Sequence, residues 1–226
     1  MGCSIIYKVT AIGLAWGNSA IQPFEDFVDI TSVSLPNTLE KILPRAFKGC
    51  TGLKTIQLPN SLISIDYLAF ANCSNIESIT IPSSVVSIYS NAFSGCTALS
   101  EIIVDSQNSV YDSRDNCNAI IETSTNTLVI GCKNTIIPNS VTIIGSNAFA
   151  GCTDLSSIAI PDSVTEIGGY AFKGCSSLTS IILPNSITTI EDELFSDCCA
   201  LVSIVIGDSV TAIGKSAFCN CESLRF

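Results

Sequence analysis

Ala46-Phe47-Lys48-Gly49-Cys50 is a five-residue word that returns along the chain at a fixed interval. Its phenylalanines recur at Phe47, Phe70, Phe93, Phe149, Phe172, Phe195 and Phe218. Each is followed three residues later by a cysteine, at Cys50, Cys73, Cys96, Cys152, Cys175, Cys198 and Cys221. The interval is 23 residues except between Phe93 and Phe149, where it is 56. A period of this length marks a solenoid, in which each repeat buries its apolar face only against its neighbours. The 226 residues therefore read as one elongated domain and not as two compact ones.

Outward from that word, regular units occupy 33–55, 56–78 and 79–101, then 135–157, 158–180, 181–203 and 204–226. In the 56–78 unit the apolar positions are Ile56, Leu58, Leu62, Ile65, Ala69, Phe70, Cys73 and Ile76. Ile79 and Ile81 alternate with Ser78 and Thr80, the pattern of a short half-buried strand. Pro82 ends it, as Pro36, Pro59, Pro138, Pro161 and Pro184 do in other units, because proline lacks the N–H that a ladder needs. A second extended piece is expected over 164–167, turning at Gly168. The Ala-Phe-x-Gly-Cys segment is expected as a single helical or 3-10 turn with its Phe inward, too short for a free helix.

Two segments depart from the pattern. Residues 1–32 read as a degenerate N-terminal repeat or cap, since Phe24, Phe27 and Ile30 lie one period before Phe47, Cys50 and Leu53. No basic stretch precedes an apolar core as a secretory signal requires, and Ile6 stands where an N-myristoylation site needs Ser or Thr. The array stops at Phe226 as though cut, or as though its end were covered by a partner, and its open ends raise the expectation of end-to-end self-association. Residues 102–134 form an irregular unit. There Ala119-Ile120-Ile121-Glu122 and Thr127-Leu128-Val129-Ile130 flank the polar Thr123-Ser124-Thr125-Asn126, a β-hairpin pattern expected to project from the rod. Cys117 and Cys132 sit at its base on opposite arms, either pairing as a disulfide in an oxidising compartment or serving as structural thiols.

Composition removes several functions. A net charge of −10 and a pI of about 4.2 oppose nucleic-acid binding, which depends on Lys and Arg neutralising phosphate. The chain has no histidine, which removes imidazole bases, Ser/His/Asp triads and His-ligated zinc. No window approaches the roughly 18 consecutive apolar residues of a membrane span, so no membrane insertion is expected. Seven of the 12 cysteines share one repeat position and read as a buried structural ladder, a line of sulfurs about 5 Å apart instead of a metal tetrahedron. Glu25/Asp26 and Glu191/Asp192/Glu193 are neighbours within one turn, not a pair opposed across a cleft. Asp112, Asp115 and Asn116 lack the rest of a calcium loop. No catalytic residue, metal or cofactor is expected.

What remains is surface. The outward strand positions Thr55, Gln57, Ser78, Thr80, Ser180 and Ile182 make a small-residue, nearly uncharged face suited to close approach of a partner. Tyr67, Tyr89 and Tyr170, with Tyr111 in the irregular unit, are candidate contact residues, and the hairpin is a third candidate.

The word Ile-Pro-Asp-Ser-Val-Thr-Glu-Ile-Gly-Gly-Tyr-Ala-Phe-Lys-Gly-Cys-Ser-Ser-Leu at 160–178 resembles the BspA-like leucine-rich repeat family of bacterial and protozoan surface proteins. The resemblance covers 33–226, and the Tyr-Asp-Ser-Arg-Asp-Asn-Cys-Asn-Ala-Ile-Ile-Glu stretch at 111–122 is similar to an interruption seen in that family. It implies a right-handed leucine-rich repeat solenoid, displayed on a cell surface or secreted, that binds extracellular matrix or cell-surface proteins without catalysis. The alternatives are a structural spacer, or the repeat region of a larger protein whose catalytic domain lies elsewhere.

Overall fold

Alternating Ser/Thr and Ile ahead of each proline produces strands of two to four residues, and these stack on their own copies one period away. The structure, a computed structural model, describes residues 11–12 and 24–225. The readings of residues 1–10 and 13–23 therefore lie outside the described residues. The fold is a β-solenoid of about 8 turns with almost no helix. In the first ladder Ser32–Val33 pairs with Thr55–Ile56, Ser78–Ile81 with Glu101–Val104, and Ser180–Ile182 with Ser203–Val205. In the second, Ala11–Ile12, Lys41–Ile42, Ser64–Ile65 and Ser87–Ile88 run side by side, followed by Ile143–Ile144 with Glu166–Ile167 and by Thr189–Ile190 with Ala212–Ile213. All these pairings are parallel, as a coil that advances without reversing requires.

Each strand-ending proline from Pro36 to Pro184 accepts at its carbonyl the N–H three residues on, as in Pro59 to Leu62 and Pro161 to Val164, so proline both ends the strand and opens the turn. The serine two residues after it has its own task. Ser61, Ser84, Ser163 and Ser186 donate their hydroxyls to the carbonyls of Leu39, Leu62, Val141 and Val164 in the preceding coil. A buried carbonyl that the ladder leaves free is thereby satisfied.

The Phe-bearing segment is a turn, but its backbone is not helical. Arg45 (φ 61) and Gly49 (φ 73) adopt the left-handed conformation around Phe47, and the same pairing recurs at Leu68/Asn72, Asn147/Gly151, Tyr170/Gly174, Glu193/Asp197 and Ser216/Asn220. This alternation aims every second N–H out of the coil. Those of Arg45, Phe47 and Gly49 donate to Tyr67, Ala69 and Ala71 of the next coil at 2.8–3.0 Å, which makes a third inter-coil edge. Among the described residues the second left-handed position holds only Gly, Asn or Asp, the residues that tolerate positive φ at least cost.

Stacking puts each ring on its copy. Phe24, Phe47, Phe70 and Phe93 lie face to face with centroids 5.1–5.3 Å apart, and Phe149, Phe172, Phe195 and Phe218 do so at 5.2–5.6 Å. Phe24 thus extends the array one unit before residue 33. Burial comes from the neighbouring coil and not from the coil itself: Ile190 is 0 % exposed, whereas Ile213 at the same repeat position is 60 % exposed. Truncating a fully buried phenylalanine such as Phe172 removes about 3–5 kcal/mol.

The irregular unit contains the expected hairpin, but it does not project. Ala119–Glu122 pairs antiparallel with Thr127–Gly131 around residues 123–126, and Thr127–Leu128 then pairs in parallel with Ile143–Ile144. Ala119, Ile120, Ile121 and Leu128 are fully buried. Ile120 and Ile130 pack into the core of the preceding coils, and Ala119, Ile121 and Leu128 into that of the following ones, so the hairpin divides the interior into two apolar clusters. A strand that is apolar on both faces needs cover on both. Cys117 lies in the second cluster and Cys132 in the first, and both are free buried thiols, which is the structural-thiol alternative and not the disulfide. Tyr111 is corrected as well: it is buried, and its hydroxyl accepts the Ile88 N–H at 3.1 Å. It stands one period after Ile88 and so takes an inward position.

Arg114 ties this unit together, donating to both carboxylate oxygens of Asp112 at 2.6–3.0 Å and to Asn126 Oδ1 at 2.9 Å across the hairpin turn. Gly131 occupies the place of a phenylalanine, its N–H donating to Ala148 as that of Phe149 donates to Ala171. A Cβ there would lie 2.1 Å from Phe149 Cε1, so the Phe stack is interrupted by a residue without a side chain. At this edge Gly95 donates directly to Ala150, and the regular coils on either side of the irregular unit touch. Gly131→Ala is expected to lower the urea unfolding midpoint by the equivalent of about 1–3 kcal/mol. An unchanged midpoint would refute this packing.

Candidate partner-binding surface

Thr55, Gln57, Ser78 and Thr80 are exposed and come together on the outer side of the first ladder. With Ser32, Asn60 and Asp105 they line a depression of about 530 Å³. The ladder pairs Ser32–Val33 with Thr55–Ile56 and Ser78–Ile81 with Glu101–Val104, and the depression follows the seam between these two pairs. A second depression, of about 470 Å³, adjoins it along Ser34, Asn37 and Pro59, and a third, of about 460 Å³, runs past Glu77, Ser100, Glu101, Asn118 and Asn134. Ser180 and Ile182 are exposed too, but they line a separate depression with Ser157 and Ala159 beyond the irregular unit. The outward strand face is therefore two surfaces. The earlier half is polar except at Ile103, 44 % exposed beside Thr80, whereas in the later half Ile136, Ile182 and Val205 are 74 %, 66 % and 55 % exposed. Ile136 and the carboxylates Glu77, Glu101 and Asp105 were not singled out in the sequence. Alternation in Ile136-Ile137-Pro138 carried the signal for the first, while the carboxylates come from separate coils and carried none.

The tyrosines do not form one site. Tyr67 and Tyr89 are exposed and meet edge to face with centroids 6.1 Å apart, beside the second ladder. Tyr170 is exposed in a later coil, with the Lys173 ammonium 5.6 Å from its ring centroid and paired to Glu193. Among the described residues no group of three or more cysteines and carboxylates is placed to hold a metal ion, and no helix is long and apolar enough to cross a membrane.

The sequence matches the family model described as BspA type leucine rich repeat region, in 6 copies, over residues 22–135 and 130–226. The chain belongs to the BspA-type leucine-rich repeat family. Among solved structures it is similar to a leucine rich cell surface protein from Faecalibacterium prausnitzii A2-165, with 33 % identity and a TM-score of 0.79, over 90 % of this chain and 55 % of that one. It thus spans about half the length of that relative. A leucine-rich repeat protein from Eubacterium ventriosum (19 % identity, TM-score 0.68, 96 % of this chain and 75 % of that one) shares the fold. So does the pneumococcal vaccine antigen PcpA (24 % identity, TM-score 0.60, 87 % and 56 %). No curated protein sequence matches.

In this BspA-type array the cysteine ladder is a hydrogen-bonded column. The thiols of Cys50, Cys73, Cys96, Cys175, Cys198 and Cys221 each approach the carbonyl of the phenylalanine 26 residues earlier at 2.8–3.3 Å. Cys152, which faces Gly131 instead, is at 3.9 Å. Burial raises the thiols of Cys96, Cys152, Cys175, Cys198 and Cys221, pushing Cys96 and Cys198 up to about 12, whereas the neighbouring Cys73 lowers Cys50. Cys199 and Cys219 are exposed and lie outside the column. Of the described cysteines, those two are expected to react with a thiol reagent within minutes in the native protein, and the ladder only after unfolding. Rapid modification of Cys73 or Cys175, read by peptide mass, would contradict the column. An unfolded thiol loses its proton near pH 8.5 while buried ladder thiols such as Cys96 and Cys198 keep theirs, so stability falls as pH rises from about 8.5 toward 12, by about 1.4 kcal/mol per pH unit for each such thiol. Comparing urea midpoints at pH 7.5 and 10.5 in the parent and in Cys96→Ala/Cys198→Ala checks this, the variant losing less.

Proposed function

We propose that this solenoid is a non-catalytic recognition module of a cell-surface or secreted protein, and that it holds a protein partner against the polar half of its strand face. The observation that carries the reading is the exposed lining of Thr55, Gln57, Ser78 and Thr80 on short strands anchored by a fully buried core. Small hydroxyl and amide side chains on a rigid face let a partner approach closely and bond to it, with little ordering required on binding. The similarity to a Faecalibacterium prausnitzii protein described as a cell surface protein supports the location. The role is that of an adhesin-like module for extracellular matrix or cell-surface proteins.

Surface plasmon resonance of the purified chain against a panel of such proteins tests the proposal. Saturable binding is expected, reduced at least about ten-fold by Gln57→Arg/Thr80→Arg, which fills the central depression with bulk and charge, and retained in Tyr67→Ala/Tyr89→Ala. Absence of binding to every member of the panel would favour a spacer role instead.

A further inference from the structure

The three depressions of the polar half are one trough. Val33, Gln57, Leu58 and Asn60 line both of the first two, and Ser78 lines both the second and the third. The trough crosses the strands from Ser32 to Asn134, five strand positions about 4.8 Å apart, so it accommodates about six residues of extended chain. Its lining contains the carboxylates of Glu77, Glu101 and Asp105 and neither lysine nor arginine.

Among the described residues none of those carboxylates enters an ion pair. The ion pairs among the described residues are Lys48–Glu25, Arg114–Asp112, Lys133–Asp154 and Lys173–Glu193. Lys54, one period before Glu77, is exposed and enters none of them. Glu77 and Glu101 lie at the two sides of one depression, with the side chains of Asn118 and Asn134 beside them, and Asp105 closes the neighbouring one. The trough therefore presents hydrogen-bonding side chains with negative charge from Glu77 and Glu101 at the strand starts and from Asp105 just past the end of Glu101–Val104, on a chain whose net charge of −10 already draws cations toward it.

We infer that the trough takes an extended basic segment of the partner protein, whose lysine or arginine side chains meet Glu77, Glu101 and Asp105. The segment's backbone and small side chains bond to Gln57, Asn60, Ser78 and Thr80. This rests on the recognition reading and specifies the partner's chemistry for it. Exposed charges of this kind set association rate, salt dependence and register more than raw affinity.

The test uses the full chain and a fluorescein-labelled octapeptide of alternating lysine and threonine, followed by anisotropy at 20 and 300 mM NaCl. Saturable binding that weakens at the higher salt is expected. Glu77→Gln/Glu101→Gln is expected to weaken it about three- to ten-fold, the loss of two exposed pairs. Glu166→Gln/Asp208→Asn removes the same charge from exposed positions outside the trough and leaves binding unchanged. Equal weakening in both double variants, equal binding of a glutamate–threonine octapeptide, or no binding of the basic peptide would each overturn the inference. A panel protein whose binding is lost in Gln57→Arg/Thr80→Arg but unaffected in Glu77→Gln/Glu101→Gln would overturn the basic-segment assignment alone and leave the recognition reading standing.

Discussion

Parallel backbone hydrogen bonding fixes the distance between successive coils near 4.8 Å, and the rest of the molecule answers to that spacing. A residue at a repeat position has its own copy directly above and below it, so only side chains that tolerate themselves at this distance can occupy the interior. Phenylalanine does so by stacking face to face at 5.1–5.6 Å. Cysteine does so by turning its thiol onto the carbonyl of the preceding coil, and serine after proline by capping another. At the left-handed turn position the spacing selects Gly, Asn or Asp, because only that backbone conformation aims its N–H groups across the gap. A charged residue in the buried Phe or Cys column would meet its own charge in the coils above and below, and those columns hold none.

The irregular unit shows what happens where the columns cannot continue. Its hairpin is apolar on both sides, and it therefore closes two cores at once instead of standing out from one. At the Phe edge there is no room for an added layer, and Gly131 meets that limit by having no side chain, while Gly95 bonds past it to Ala150. On the ladder sides the added strands push the neighbouring coils apart. The outer face changes character at this point, from polar side chains at Gln57 and Thr80 to Ile136 and Ile182.

A face built this way is a good recognition surface for a physical reason. Strands of two to four residues hold their outward side chains in place because their inward neighbours, such as Ile79 and Ile81, are almost wholly buried. Changing an outward residue disturbs no column, so the surface can vary while the stack persists.

The 23-residue period, the strand positions, the proline exits, the inward Phe and Cys and the presence of a hairpin over 119–130 were all legible in the sequence. Stacking on a copy demands the same residue type at every turn, and so it writes itself into the chain as repetition. Neither the burial of that hairpin nor the inward place of Tyr111 was legible, because alternation reveals which faces are apolar but not whether neighbouring coils can close over both. The separation of Cys117 from Cys132 followed from the same partition. The trough was equally hidden, since it lies where the first ladder breaks between Thr55–Ile56 and Ser78–Ile81 and gathers Glu77, Glu101 and Asp105 from separate strands and turns. One coil at a time carries no record of such a seam, and only the stacked coils decide where it opens.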